Sequence, residues 1–348
     1  MNKIKIGERM IGDGEPVLII AEAGVNHNGQ LEKALELVSV ARAAGADAVK
    51  FQLYRPEEQV SSAARTAGYQ REQTGADSML EMALSYELPW EAHRAIAARC
   101  REAGIAYMSS CFDREAVDFL VQLGGDSIKV GSGEITNYPL LAHMSATGLP
   151  VLLSTGMSTL EDVAGAVEHI RASGPSALAL FQCVSNYPAD PATANLRAML
   201  TMRSAFNVPV GFSDHTQGEA VAVAAVALGA CMVEKHFTLD KTLPGPDHAM
   251  SLDPSELRDY VLAIRTAESA LGDGIKRPVK PELETLRAAR RSLVSARGIH
   301  AGESLDESNV TLKRPATGID PRLWQTVRGR VAATDIPQDV PITWEMLA

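Results

Sequence analysis

The chain is 348 residues long, 46% hydrophobic, and carries a formal net charge of −10. That length leaves room for one large domain and a small one, while the acidity argues against a nucleic-acid partner, whose phosphates would be repelled. No run approaches the roughly 20 apolar residues of a membrane span, and the opening MNKIKIGERMIGDGEPV lacks the long apolar core of a signal peptide, so a cytoplasmic location without membrane contact is expected.

In chain order, KIKIGERMIG alternates around a glycine and predicts a hairpin at the start of the chain. Eight short apolar runs follow: VLIIAEAG (17–24), DAVKFQ (47–52), AYMSSCF (106–112), SIKVGSGE (127–134), PVLLSTGM (150–157), LALFQCV (178–184), VPVGFSDHT (208–216) and CMVEKHFT (231–238). They are continuous rather than alternating in hydrophobicity, as strands buried on both faces are. Helical patterns lie between most of them. QLEKALELVSVARAAG ends at Gly45, PWEAHRAIAARCREAG opens at Pro89, and STLEDVAGAVEHIRASG starts on Ser158 and Thr159, residues suited to an N-terminal cap. Eight strand–helix units predict an α/β protein with a (β/α)8 barrel, the TIM barrel, over residues 1–271. A doubly wound sheet is the alternative, but AEAGVNHNG lacks the glycine-rich phosphate turn that such a sheet carries after its first strand. The long stretch 54–88 reads as a functional loop on the catalytic face. A charged, proline-marked linker with some helix fills 272–290. Over 291–348, GIHAGESL and DIPQDVPI echo one another as apolar, two residues, Gly or Asp, two residues, apolar, which predicts a small β-rich domain.

The four cysteines are scattered, without a C-x-x-C pair, which fits a reducing compartment. Cys111, Cys183 and Cys231 read as small buried hydrophobes. His93, His143 and His169 lie on predicted helices and read as surface residues.

Catalytic groups of such barrels stand at the C-terminal strand ends. Here those ends supply Glu22 with Asn26 and His27, Lys50 with Gln52, Ser109 and Ser110, Lys129 with Ser132 and Glu134, and Ser154 with Thr155. The last three supply Gln182 with Ser185, Asn186 and Tyr187, then Ser213, Asp214 and His215, then Glu234, Lys235 and His236. Any one polar strand end has a bland explanation as a cap or a solvated charge. Lysines inside apolar strands are different, because a buried ammonium needs an anion. Lys50 and Lys129 with nearby hydroxyls suit a small phosphorylated or carboxylated substrate. His215 and His236 end adjacent strands. They either bind a divalent metal with open positions or form a hydrogen-bonded pair without one. Glu134 is a candidate general acid/base and Glu22 a candidate substrate contact, and either could instead be a structural ion pair.

The motifs AEAGVNHNG, GADAVKFQ, KVGSGEITNYPLL, LSTGM, GFSDHT, EKHFTLDKTLPGPDHAMSL and VTLKRPATGI, in that order along the whole chain, resemble the sialic acid synthase family, and residues 291–348 resemble its antifreeze-like SAF domain, a β-clip fold. The resemblance implies condensation of phosphoenolpyruvate with an open-chain N-acylated mannosamine-type sugar and release of phosphate. The product would be N-acetylneuraminate or N,N'-diacetyllegionaminate. It further implies a divalent metal, manganese with magnesium or cobalt as alternatives, on His215 and His236. It assigns phosphoenolpyruvate contacts to Lys50, Ser110, Lys129, Ser132, Ser154 and Ser213, with Ser185 or Asn186 beside them. Sugar contacts fall to Glu22, Tyr187 and Asp247, and acid/base work to Glu134. Arg314 would contact the N-acyl group in the partner's site of a domain-swapped homodimer. Two departures stand out: Ser110-Cys111-Phe112 replaces a Thr-Pro-Phe, and Gln182 replaces a histidine. Pseudaminate synthesis, another phosphoenolpyruvate-using synthase or aldolase on the same barrel, and a binding-only role are the alternatives.

Overall fold

The computed structural model describes residues 3–348, the side chain of Tyr69 excepted. At its start the alternating residues pair as an antiparallel hairpin, β1 (Lys3–Ile6) with β2 (Arg9–Gly12), and Ile4 faces Ile11 across it. Gly7 turns the hairpin at φ 56°, a conformation that costs other residues strain. Ile4, Ile6 and Ile11 are buried against Leu18, Ile20, Ala48, Leu152 and Met232, residues from the early parts of their strands. The hairpin thus plugs that end of the barrel, and each buried isoleucine stabilises the plug by roughly 2 kcal/mol.

The eight apolar runs form parallel strands: β3 (Leu18–Gly24), β4 (Ala48–Leu53), β5 (Ala106–Cys111), β6 (Ile128–Val130), β7 (Val151–Ser154), β8 (Leu178–Cys183), β9 (Val210–Asp214) and β10 (Met232–His236). They pair in chain order, and β10 returns to β3, closing the barrel. The fourth run shows where pattern and structure part. Its strand ends at Val130, and Ser132–Glu134 form a 3-10 turn, because Gly131 and Gly133 offer no side chains to continue the packed ladder.

The helix signals hold locally. Leu31–Ala44 ends at Gly45 with φ 87°, and Trp90–Ala103 ends at Gly104 with φ 67°. Thr159 and Asp162 form a reciprocal capping box at the start of Leu160–Ser173. The expected loop 54–88 is instead folded into three helices, Pro56–Gln59, Gly68–Thr74 and Met79–Tyr86. Each is too short for a 3.6-residue period to register in the sequence. His93 also departs from expectation: it is only 1% exposed. Its Nδ1 lies 3.0 Å from the Tyr107 hydroxyl and its ring meets Phe51 edge-on. The helix Trp90–Ala103 turns that face to the sheet.

The chain divides into two compact units, the second beginning at Asp273. In the second, helix Glu282–Ala289 precedes an antiparallel pair, β11 (Ser292–Ser295) and β12 (Val310–Lys313). The sequence echo has a structural basis. Ile299 and Leu305 from one copy and Ile336 and Ile342 from the other share the core of this unit. The positions between them, Gly302 and Asp339, both have positive φ, 87° and 64°. Ile299 and Ile336 bridge antiparallel, so the copies face one another. All four cysteines are buried and free. Among the described residues, no helix is long and apolar enough to cross a membrane.

Candidate active site

Side chains alternate across each strand, and in a closed barrel one set points inward. Inside, at the C-terminal end, are Glu22, Lys50, Gln52, Ser110, Lys129, Ser154, Ser213, Glu234 and His236, which line a cavity of about 410 Å³. The intervening residues face the helical layer. Asp214 takes Lys235 at 3.2 Å and the Tyr260 hydroxyl at 3.1 Å. Asn26 donates to the Phe237 carbonyl and Ser251, and His27 stacks on Phe51. Gln182 donates to the Ala194 carbonyl. These strand-end polar groups are structural.

The floor of the cavity is a network of two ammonium groups and two carboxylates. Lys50 Nζ donates to Ser110 Oγ at 2.9 Å and pairs with Glu22 at 3.0 Å. Lys129 Nζ donates to Ser154 Oγ at 2.6 Å and lies over the Phe181 ring. Glu234 Oε1 stands between them, 3.5 Å from Lys50 and 3.7 Å from Lys129. Burial works against the Glu234 anion, yet Lys129 and Lys50 hold its carboxyl below the usual range. Burial lifts the Glu22 carboxyl to about 7 in spite of Lys50. Lys129, farther from its carboxylate, is pulled down by burial.

On the far wall, Gly156 donates its N–H to Ser132 Oγ at 3.0 Å. A Cβ there would lie 2.3 Å from Ser185 Oγ, so only glycine brings this backbone so close. Ser185 and Tyr187 line the cavity. Asn186 does not: it is exposed, its amide donating to the Pro188 carbonyl. Glu134 is likewise outside the lining. It sits half-buried on the turn after β6 and accepts from Asn137 Nδ2 at 2.7 Å. Arg314 lies exposed at the end of β12, in the second unit.

His215 and His236 do converge, their ring centroids 5.8 Å apart. His215 Nδ1 meets the Val184 carbonyl at 2.6 Å. A carbonyl only accepts, so Nδ1 carries the proton and Nε2 is left with a lone pair. The buried His236 Nδ1 has no hydrogen-bond partner, and Asp247 Oδ2 is 3.9 Å away. Burial keeps His215 neutral down to about 4 and His236 well below its ordinary value. Two neutral imidazoles, one with an orphaned nitrogen, fit a divalent cation. No group of three or more His, Cys, Asp or Glu side chains among the described residues could hold one, so such an ion would keep several positions for water or substrate.

A second, smaller cavity of about 190 Å³ adjoins the first, and His236, Tyr187, Gln52, Gln70 and Met79 line both. Asp247 belongs to this second lobe, with Tyr54, Met82 and Tyr86. Sequence reasoning missed its walls, because they come from the segment taken as a loop. It also left Glu234 without a role, although Glu234 stands two residues before His236 on one strand and so must share its side of the sheet.

Residues 37–276 match the family described as the NeuB family, and residues 290–348 match the SAF domain. The chain is 42% identical over 325 residues to the N,N'-diacetyllegionaminic acid synthase of Campylobacter jejuni, covering 92% of this chain and 97% of that one. It is 41% identical over 339 residues to the enzyme of the same name from Legionella pneumophila, covering 96% and 95%. The crystal structure of N-acetylneuraminic acid synthetase from Leptospira borgpetersenii in complex with citrate aligns with a TM-score of 0.72 at 33% identity, covering 82% of this chain and 95% of that one.

Proposed function

The chain belongs to the NeuB family and is an enzyme, and on that premise we propose that it condenses phosphoenolpyruvate with the open-chain aldehyde of an N-acylated hexosamine to give N-acetylneuraminate or N,N'-diacetyllegionaminate. The observation that carries this reading is the order of groups across the two lobes: two ammonium groups, then two imidazoles, then a neutral chamber.

Lys50 with Ser110 and Lys129 with Ser154 bind the phosphate and carboxylate of phosphoenolpyruvate, assisted by Ser132, Ser185 and Ser213. Held there, the enol is fixed before any charge moves. His215 and His236 hold a divalent cation, manganese or else magnesium or cobalt, which when bound supplies Lewis-acid polarisation of the aldehyde oxygen. Tyr187, Glu22 and Asp247 orient the sugar. C3 of the enol forms the new bond to the aldehyde carbon, and the aldehyde oxygen takes a proton. The positive charge left on C2 is met by water, which gives up a proton. The C2–O bond to phosphate then breaks, leaving a ketone and free phosphate. Glu134 handles these protons from the rim beside Ser132, which requires its carboxylate to leave Asn137. Arg314 contacts the N-acyl group from the second subunit of a domain-swapped homodimer.

The test is phosphate release with manganese, phosphoenolpyruvate labelled in the bridging oxygen and a panel of hexosamines. The reading predicts label in the released phosphate. His215→Ala and His236→Ala each lose manganese binding by calorimetry as well as turnover. Label retained in the product, or full turnover in chelator, refutes it.

A further inference from the structure

The neutral lobe differs from the cationic one in a way that selects the sugar. Met79, Met82, Ala83 and Tyr86 follow one another at steps of three, one and three residues, so one face of the helix Met79–Tyr86 forms an apolar wall. Val60, buried like Met82, extends it. Opposing polar groups are three primary amides, Gln52, Gln59 and Gln70, and a single carboxylate, Asp247. Among the described residues no lysine or arginine lines this lobe.

We propose that this lobe admits an N-acylated sugar whose end distal to the aldehyde is deoxygenated and unphosphorylated, with Val60, Met82 and Tyr86 as the specificity-determining residues. The inference rests on the synthase reading above. His236 and Tyr187 border both lobes, so an aldehyde reacting at that border sends the rest of its chain into the neutral lobe. A phosphate there would be desolvated with no cation to meet it. A hydroxymethyl group would exchange water for methionine and valine, whereas a methyl group gains by burial. The amides match acetamido groups, since each side offers both N–H and C=O.

The experiment compares kcat/KM for three sugars on the manganese-loaded full chain at saturating phosphoenolpyruvate: N-acetylmannosamine, its 6-phosphate, and 2,4-diacetamido-2,4,6-trideoxymannose. The trideoxy sugar is expected to exceed each of the others by about tenfold or more, the range over which an apolar pocket discriminates. A smaller ratio overturns the inference while leaving the synthase reading intact. Phosphate release with none of the three sinks both. Met82→Gln is expected to shrink the ratio at least threefold with KM for phosphoenolpyruvate unchanged. Val60→Thr, nearly isosteric, provides the same readout if Met82→Gln folds poorly. An unchanged ratio in a folded variant also overturns the assignment.

Discussion

Lys50, Lys129 and Lys235 share one sequence setting, an ammonium inside an apolar run, yet they serve two purposes. The first two point into the barrel and line its cavity. Lys235 points outward to Asp214 and lies over the Tyr260 ring. Their substitutions should therefore part. Lys129→Met is expected to raise KM for phosphoenolpyruvate tenfold or more, the worth of a charge-assisted hydrogen bond at about 1.5–3 kcal/mol. Lys235→Met strands the buried Asp214 carboxylate and should cost about 3 kcal/mol of stability in urea titration, with that KM unchanged. Equal effects of the two substitutions on KM would contradict the division. Glu134 calls for a separate measurement, because its carboxylate rests on Asn137 outside the cavity lining. Glu134→Ala should bind phosphoenolpyruvate as wild type does while kcat falls on the order of a hundredfold, the low end for general acid–base catalysis. An undiminished kcat removes it from the reaction.

The helix Trp90–Ala103 buries His93 against Phe51 and Tyr107, and that burial has a pH consequence. Burial lowers the His93 pKa from 6.5 to about 4. Between those values the unfolded chain binds a proton that the folded chain refuses, so stability falls as pH drops. Unfolding free energy attributable to His93 should decline by on the order of 2 kcal/mol from about pH 7.5 to about pH 5. In His93→Gln the decline between those two pH values should be smaller by a comparable amount, and parallel curves for the two proteins would refute the assignment. The three short helices of 54–88 teach a related lesson. Their glycine and serine signals, Gly75 with φ 70° and Ser78 accepting from the Glu81 N–H, are legible once the helices are known. No periodic pattern announced them beforehand.

For the molecule as a whole, a net charge of −10 coexists with two buried ammonium groups in one cavity. The pocket, not the protein, is suited to anions. The proposed sharing of Arg314 between subunits is tested by complementation. Arg314→Ala and Lys129→Met chains, each inactive alone, should regain about a quarter of wild-type activity when co-expressed, because one site in each mixed dimer is intact. No recovery in verified mixed dimers rules out the swap.

By itself the sequence determined the barrel, since continuous apolar runs alternating with capped amphipathic helices leave few other ways to bury both faces of a parallel sheet. It also determined which residue types gather at the strand ends, and the twofold echo of the second unit. Tertiary structure alone decided which of those residues face the cavity. Strand alternation and closure turn Lys50, Lys129, Glu234 and His236 inward and send Asp214 and Lys235 out, and a one-residue shift of register would have exchanged the two sets. It likewise decided the neutral lobe, whose walls become neighbours of His236 only when a segment far away in sequence packs across the barrel mouth.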